Sequence, residues 1–307
     1  MSATQRDVKD RIGSVKNIQK ITRAMEMVAA ARLRRAEQRI EALRPYASAI
    51  RRMTRQAAEA AGTEVSGLAI LKQHESNDDV ALLLVTGDRG LAGAFNSQIV
   101  RAGVRASREH EADGRRVAYS AVGRRGVSTL TFRGKDPVGR YVGFTDRPSY
   151  ADARMIAEDL IAAYIDGKVD SVEIFYNGYI SPLTQEVRRE TLLPLQEATI
   201  LEDSDDDDDD DDDGAESESG HHALVEYEPE AGEILARLIP DYVEISVYRA
   251  LLESTASEHG ARMTAMRSAS ENAGELIEDL TLEMNRARQA EITQEIMEVV
   301  AGAESLT

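Results

Sequence analysis

From Asp241 to Gly302 the chain reads DYVEISVYRALLESTASEHGARMTAMRSASENAGELIEDLTLEMNRARQAEITQEIMEVVAG, 62 residues without a proline. At about 1.5 Å per residue a single helix over this stretch would reach roughly 90 Å. That is far longer than an ordinary globular helix. Ile245, Leu252, Met263, Met266, Ile277, Leu280, Met284, Ile292, Ile296 and Val299 supply its apolar positions. Gly260, Ala261, Ala265, Ala269, Ala273 and Gly274 keep one face thin, so that a partner helix can come close. Such a stripe cannot be buried against itself, and the partner is found at the other end of the chain. There Val8, Ile12, Val15, Ile18, Ile21, Met25 and Val28 recur at steps of four and three, with no proline before Pro45. This spacing is the seam of a long amphipathic helix. The two ends together predict an antiparallel coiled coil. Two ordinary helices in separate bundles are the plainer alternative that periodicity alone leaves open.

Between the ends, strands and helices alternate. Asp79 to Thr86 (DVALLLVT) is a short apolar run of the kind found in buried parallel strands, and Phe95, Ile99, Val100 and Val104 mark a helix reaching about Arg108. Further strands are expected at Arg116–Val122, Ser171–Ile180 and Thr184–Leu193, with a helix at Tyr150–Ile165. The fold class is therefore α/β: a long antiparallel coiled coil of terminal helices plus an open, mainly parallel, Rossmann-like sheet domain of about five strands. The expected division is 1–60 for the first coiled-coil helix, 75–201 for the α/β foot, 202–220 for an acidic insert, 221–240 for a connector and 241–303 for the last helix.

The net charge of −18 is unevenly spread. Thirteen acidic and no basic residues lie between Glu202 and Glu218, including the run Asp205–Asp213, which leaves −5 for the rest. An unbroken aspartate run repels itself and buries no apolar area, so the insert is expected to be disordered. Residues 1–60 carry fourteen Lys and Arg against six Asp and Glu, and such a basic stripe suggests an acidic partner. Nucleic acid is the generic candidate, but no aromatic interleaving or binding motif accompanies the charge. No apolar run approaches the roughly 20 residues that cross a bilayer, so membrane contact is expected to be peripheral. The absence of cysteine removes disulfide, thiolate-metal and thiol-nucleophile chemistry.

The loop Gly87–Gly93 (GDRGLAG) lies between a strand and a helix, where phosphate-binding loops occur. A P-loop requires Lys and then Ser or Thr after its last glycine, whereas Gly93 is followed by Ala94, Phe95 and Asn96. A dinucleotide fingerprint separates its first two glycines by one residue, whereas Gly87 and Gly90 are separated by two. A tight structural turn is the better reading, and a nucleotide-binding α/β enzyme with helical arms remains the alternative. His74, His110, His221, His222 and His259 have no metal-ligand spacing, and no serine sits in a nucleophile elbow. Neither a catalytic residue nor a cofactor or metal ligand is assigned.

Residues 11–36 (RIGSVKNIQKITRAMEMVAAARLRRA), 86–96 (TGDRGLAGAFN), 257–266 (SEHGARMTAM) and 286–302 (RARQAEITQEIMEVVAG) resemble, in order and spacing, the motifs of the gamma subunits of F-type ATP synthases. That resemblance implies a central rotor shaft standing inside a hexamer of alpha and beta subunits. Its foot would lie against the epsilon subunit and the membrane ring of c subunits, at the cytoplasmic face of a bacterial membrane. It also implies a coupler without catalysis of its own. In the matching positions Lys20, Arg23 and Met25 resemble the collar of the first helix, with Arg262 facing it from the last. Arg288, Gln289, Thr293 and Glu295 resemble the upper contact with the catalytic subunits. The polyaspartate insert falls outside that pattern.

Overall fold

The computed structural model describes residues 5–61, 70–71, 74, 76–195 and 230–304. The acidic insert 202–220 and residues 221–229 of the expected connector lie outside the described residues. The chain order is α1 (Gln5–Ala61), β1 (Asp79–Val85), α2 (Phe95–Ala112), β2 (Arg116–Val122), α3 (Arg124–Phe132), β3 (Gly139–Tyr141), α4 (Tyr150–Ile165), β4 (Ser171–Tyr179), β5 (Gln185–Leu193) and α5 (Ala231–Glu304).

The five strands form one sheet in the order β3-β2-β1-β4-β5. β1 to β4 are parallel and β5 pairs antiparallel with β4 at the edge. β1 is buried on both faces and alternates between two layers. Val80, Leu82 and Leu84 face α2 and α3 with Ile99, Val100 and Leu130. Ala81, Leu83 and Val85 face the other way, onto α4 and the lower part of α5. The nine-residue α3 and the three-residue β3 are additions to the expected elements, both too short to stand out in sequence. α4 begins with a capping box, in which Ser149 and Asp152 satisfy each other's backbone N–H groups.

α5 starts ten residues before the expected Asp241 and carries Pro240 inside it. An interior proline costs on the order of 3 kcal/mol. Leu235, Ile239, Val243 and Val247 offset this cost, because at helical spacing all four are buried in the core under the sheet. At about 1.5 Å per residue α5 spans roughly 110 Å.

α1 and α5 run antiparallel. Val8 and Ile12 pack on Leu280, Gln19 Nε2 donates to the Ser270 carbonyl (3.3 Å), Leu33 and Ala36 pack on Ala256, and Ala47 and Ile50 pack on Ile245. The shielded positions of α1 follow an unbroken four-three alternation: 8, 12, 15, 19, 22, 26, 29, 33, 36, 40, 43, 47, 50, 54 and 57. A period of 3.5 keeps one seam facing the partner. The expected seam breaks this rule by taking three consecutive steps of three, from Ile12 through Val15 and Ile18 to Ile21. Ile18, Ile21 and Val28 are about half exposed, while Gln19, Thr22 and Ala29 occupy the seam instead. Gly260 likewise does not face α1. A Cβ there would sit 3.0 Å from the Pro182 carbonyl oxygen, so this glycine admits the turn between β4 and β5.

Candidate functional site

Near its C-terminal end α5 packs Met284 on the Val8–Ile12 cluster of α1. Residues 285–304 continue as one helix for about 30 Å. Every residue from Arg288 to Ala301 is exposed. Ile292, Ile296, Val299 and Val300 recur at helical spacing and form an apolar stripe open to solvent, alongside Met297. Arg288, Gln289, Thr293 and Glu295 all lie on this projecting tip. A single helix with an uncovered stripe presents surface to a surrounding partner.

Below the tip, the seam turns polar. Gln19, Arg23, Glu26, Arg267, Ser270, Glu271 and Gly274 line an open cleft of about 330 Å³ between the two helices. Arg267 Nε donates to Glu26 Oε1 at 2.9 Å across it. Lys20 and Arg23 are exposed here and Met25 is half-buried. Arg262, expected to face these residues, does not. Its guanidinium is buried and donates to Glu258, to His259 Nδ1 (3.3 Å) and to the Gly90 carbonyl (3.4 Å), all on the body side of α5. Arg262 stands at the level of Leu33, whose neighbour on α5 is Met263, so the helix turn carries the arginine away from α1. Arg267 takes the place expected for it.

The C-terminal edge of the sheet, where an open α/β fold binds nucleotides at the switch between β1 and β4, is filled by α5. Ser257 Oγ donates to the Asn177 carbonyl (3.0 Å) and Thr255 Oγ1 to the Thr145 carbonyl (3.0 Å). A Cβ on Gly87 would lie 2.7 Å from the Glu258 carboxyl, so glycine is needed there for close approach. The remaining cavity, lined by Thr86, Thr145, Ser254 and Glu258, is about 10 Å³. That is room for about one water molecule. Asp88 fills this edge from the loop after β1. Its carboxylate accepts from the backbone N–H groups of Arg124 (3.0 Å), Gly143 (2.9 Å) and Thr145 (3.2 Å). Burial pushes its pKa up, but these donors outweigh burial and the net displacement is downward. His259 is held neutral: burial first, then the Arg262 charge, push it down to about 4.

Two further links join α1 to this edge, and neither was flagged by sequence reasoning. Arg32 Nη1 meets Asp146 Oδ2 at 3.0 Å, and Asp146 also binds Arg89 (3.1 Å). The Tyr179 hydroxyl donates to Glu37. Burial, and then this bond, push the Tyr179 pKa above the usual phenol range. The available signal was positional, since residues 32 and 37 flank the seam residues 33 and 36. Among the described residues no cluster of His, Asp and Glu is arranged to hold a metal ion, and no helix is long and apolar enough to cross a membrane.

A sequence model of the ATP synthase family matches residues 4–306. The chain is 43% identical to the ATP synthase gamma chain of Streptomyces coelicolor, covering 100% of this chain and 97% of that one, and 42% identical to that of Rubrobacter xylanophilus, covering 99% of each. Among solved structures it resembles a chain of the central stalk and c-ring of Tetrahymena thermophila mitochondrial ATP synthase, with a TM-score of 0.59 and 26% identity over 81% of this chain and 99% of that one. A chain of the Euglena gracilis mitochondrial enzyme shares the fold, with a TM-score of 0.66 at 17% identity over 98% of this chain and 94% of that one. With its motifs, its paired terminal helices and these full-length relatives in agreement, the chain belongs to the ATP synthase gamma chain family.

Proposed function

We propose that this chain is the central rotor of an F-type ATP synthase, coupling rotation of a membrane ring of c subunits to ATP synthesis or hydrolysis in an alpha–beta hexamer. The observation that carries the reading is the single-helix tip of α5, rooted through some 70 residues of continuous helix in the core of the foot. A rotor favours one conformation of a catalytic subunit only through contacts that differ between conformations. The tip and collar supply an asymmetric surface. Arg288, Gln289, Thr293 and Glu295 stand beside the open apolar stripe, and Lys20, Arg23 and Met25 stand one level down beside the polar cleft. The excess of basic residues along α1 suits carboxylates on the beta subunits. The foot would seat the epsilon subunit and the ring, placing the chain peripherally at the cytoplasmic face of a bacterial membrane. Catalysis belongs to alpha and beta in this reading, and Arg262 acts as a brace between shaft and foot.

The nucleotide-enzyme alternative loses its site, because the crevice it would use is occupied by α5. Co-expression with alpha, beta and epsilon subunits of the same organism tests the proposal. A complex of uniform size whose ATP hydrolysis requires this chain is expected. A free chain beside an inactive mixture would refute it.

A further inference from the structure

We propose that Arg32 and Glu37 of α1 are the two jaws of a clamp that reaches around α5 and fixes the angular position of α1 on the shaft. The two residues are five apart, about 140° around the helix. Between them Leu33 and Ala36 seat on Ala256 of α5. The jaws therefore leave α1 on opposite flanks of the seam, and each ends on the foot rather than on α5. On one flank Arg32 meets Asp146, in the segment between β3 and α4. On the other, Glu37 accepts from Tyr179, the last residue of β4.

Both receiving segments are themselves fastened to α5. Thr255 Oγ1 donates to the Thr145 carbonyl, which pins the first segment. Ser257 Oγ donates to the Asn177 carbonyl, which pins the second. The α5 residues 255–257 thus sit in a closed ring made of α1, the Asp146 turn and the end of β4.

A ring of this kind adds a polar lock to the apolar seam. Ala29, Ala36 and Ala256 let the two helices approach closely around Leu33, Ile40 and Met263, and packed helices can still slide past one another by small steps. α5 is rooted in the foot by Leu235, Ile239, Val243 and Val247, so twist reaches it directly. α1 shares less of that core, through Ala57 and Ala58 at its foot end. The clamp holds α1 to the foot some 20 residues further up, immediately below the polar cleft. Arg32, Glu37, Asp146 and Tyr179 are positioning residues for α1; their mechanical role rests on the rotor reading, whereas their geometric role does not.

The chain contains no cysteine, so two introduced ones can be labelled cleanly. Arg34→Cys on α1 and Arg105→Cys on α2, both exposed, carry nitroxides in the full chain. Electron–electron double resonance then reads the distance distribution between shaft and foot. Opening both jaws with Asp146→Asn and Tyr179→Phe is expected to broaden that distribution about two-fold, with each single change intermediate. An unchanged width in a folded double variant overturns the clamp. Should that variant not fold, Arg32→Gln with Glu37→Gln removes the jaws from the α1 side, and the same two results decide. In the assembled complex the jaw variants should lower protons pumped per ATP hydrolysed while the hydrolysis rate is kept. Broadened distances with unchanged pumping would overturn the mechanical role. If the unaltered chain fails to support hydrolysis at all, the rotor reading fails while the label distances still judge the geometry.

Discussion

Replacing His259 by glutamine removes a buried imidazole that the fold keeps neutral, and its effect on stability can be worked out in advance. The ring is fully buried, and burial together with the neighbouring Arg262 moves its pKa from the ordinary 6.5 down to about 4. Because the folded value is the lower one, the unfolded chain takes up the proton first as pH falls. The stabilising contribution is therefore complete above about pH 6.5, is lost as the pH drops toward about 4, and levels off below that. Each unit of separation is about 1.4 kcal/mol, so the whole term is about 3 kcal/mol, of which about 2 kcal/mol is lost between pH 7 and pH 5. Urea unfolding followed by far-ultraviolet circular dichroism at those two pH values measures it, with the variant as reference. Glutamine is close in size to histidine and does not titrate. The native chain should lose about 2 kcal/mol more than the variant between pH 7 and pH 5. Equal losses within about 0.5 kcal/mol would refute the assignment of a buried neutral imidazole.

Gly123→Ala should lower the thermal midpoint sharply: φ is 87° there and a Cβ would lie 2.3 Å from the Thr86 carbonyl oxygen, so a cost above about 2 kcal/mol is expected by calorimetry. Asp88→Asn should destabilise the chain by about 1–3 kcal/mol at neutral pH. The folded pKa of Asp88 is depressed, so the difference from the native chain should shrink as pH falls through the carboxylate range, and a pH-independent difference would count against the reading. Ile296→Ser with Val300→Ser should leave the melting of the isolated chain within about 1 °C, since exposed substitutions rarely matter. The same pair should reduce ATP-driven pumping in the assembled complex, as should Arg288→Ala with Gln289→Ala; unchanged pumping in both would refute the tip as a contact surface.

The pairing of the ends was legible because Val8, Ile12, Val15 and the long proline-free run from Asp241 carry a period that only a helix satisfies. The strand β1 was legible because it is a short apolar run buried on both faces, and β2 and β4 because their β-branched and aromatic residues alternate at intervals with helices. The middle of the seam was not. Ile18 and Ile21 look like core residues, yet the supercoil's fixed period gives the contact to Gln19 and Thr22, a global constraint that outranks local hydrophobicity. The expected helix begins at Asp241, just after Pro240, because the local cost of a proline is visible in sequence, whereas the burial of Leu235 and Ile239 that offsets it is not. Sequence puts Arg288, Gln289, Thr293 and Glu295 near the end of the last helix, but Arg262 could not be oriented, because its direction depends on the Gly87–Gly93 loop docking against α5. Asp146 and Tyr179 gave no signal, since each becomes significant only when the sheet edge meets α1.

The union of the two termini in one shaft also sets a timetable for synthesis. Val8 must wait for Leu280, a separation of 272 residues, before its seam contact can form. At roughly 5–20 residues per second, α1 spends about 15–50 s without its partner. During that interval the nascent chain displays a basic amphipathic helix, and the foot lacks the layer that α5 contributes beneath its sheet. Pairing over so long a stretch of chain is slow and exposes apolar surface until it is complete. The half of the shaft made first is therefore the segment most dependent on chaperone cover, and its rescue comes only when the α5 seam around Leu280 emerges.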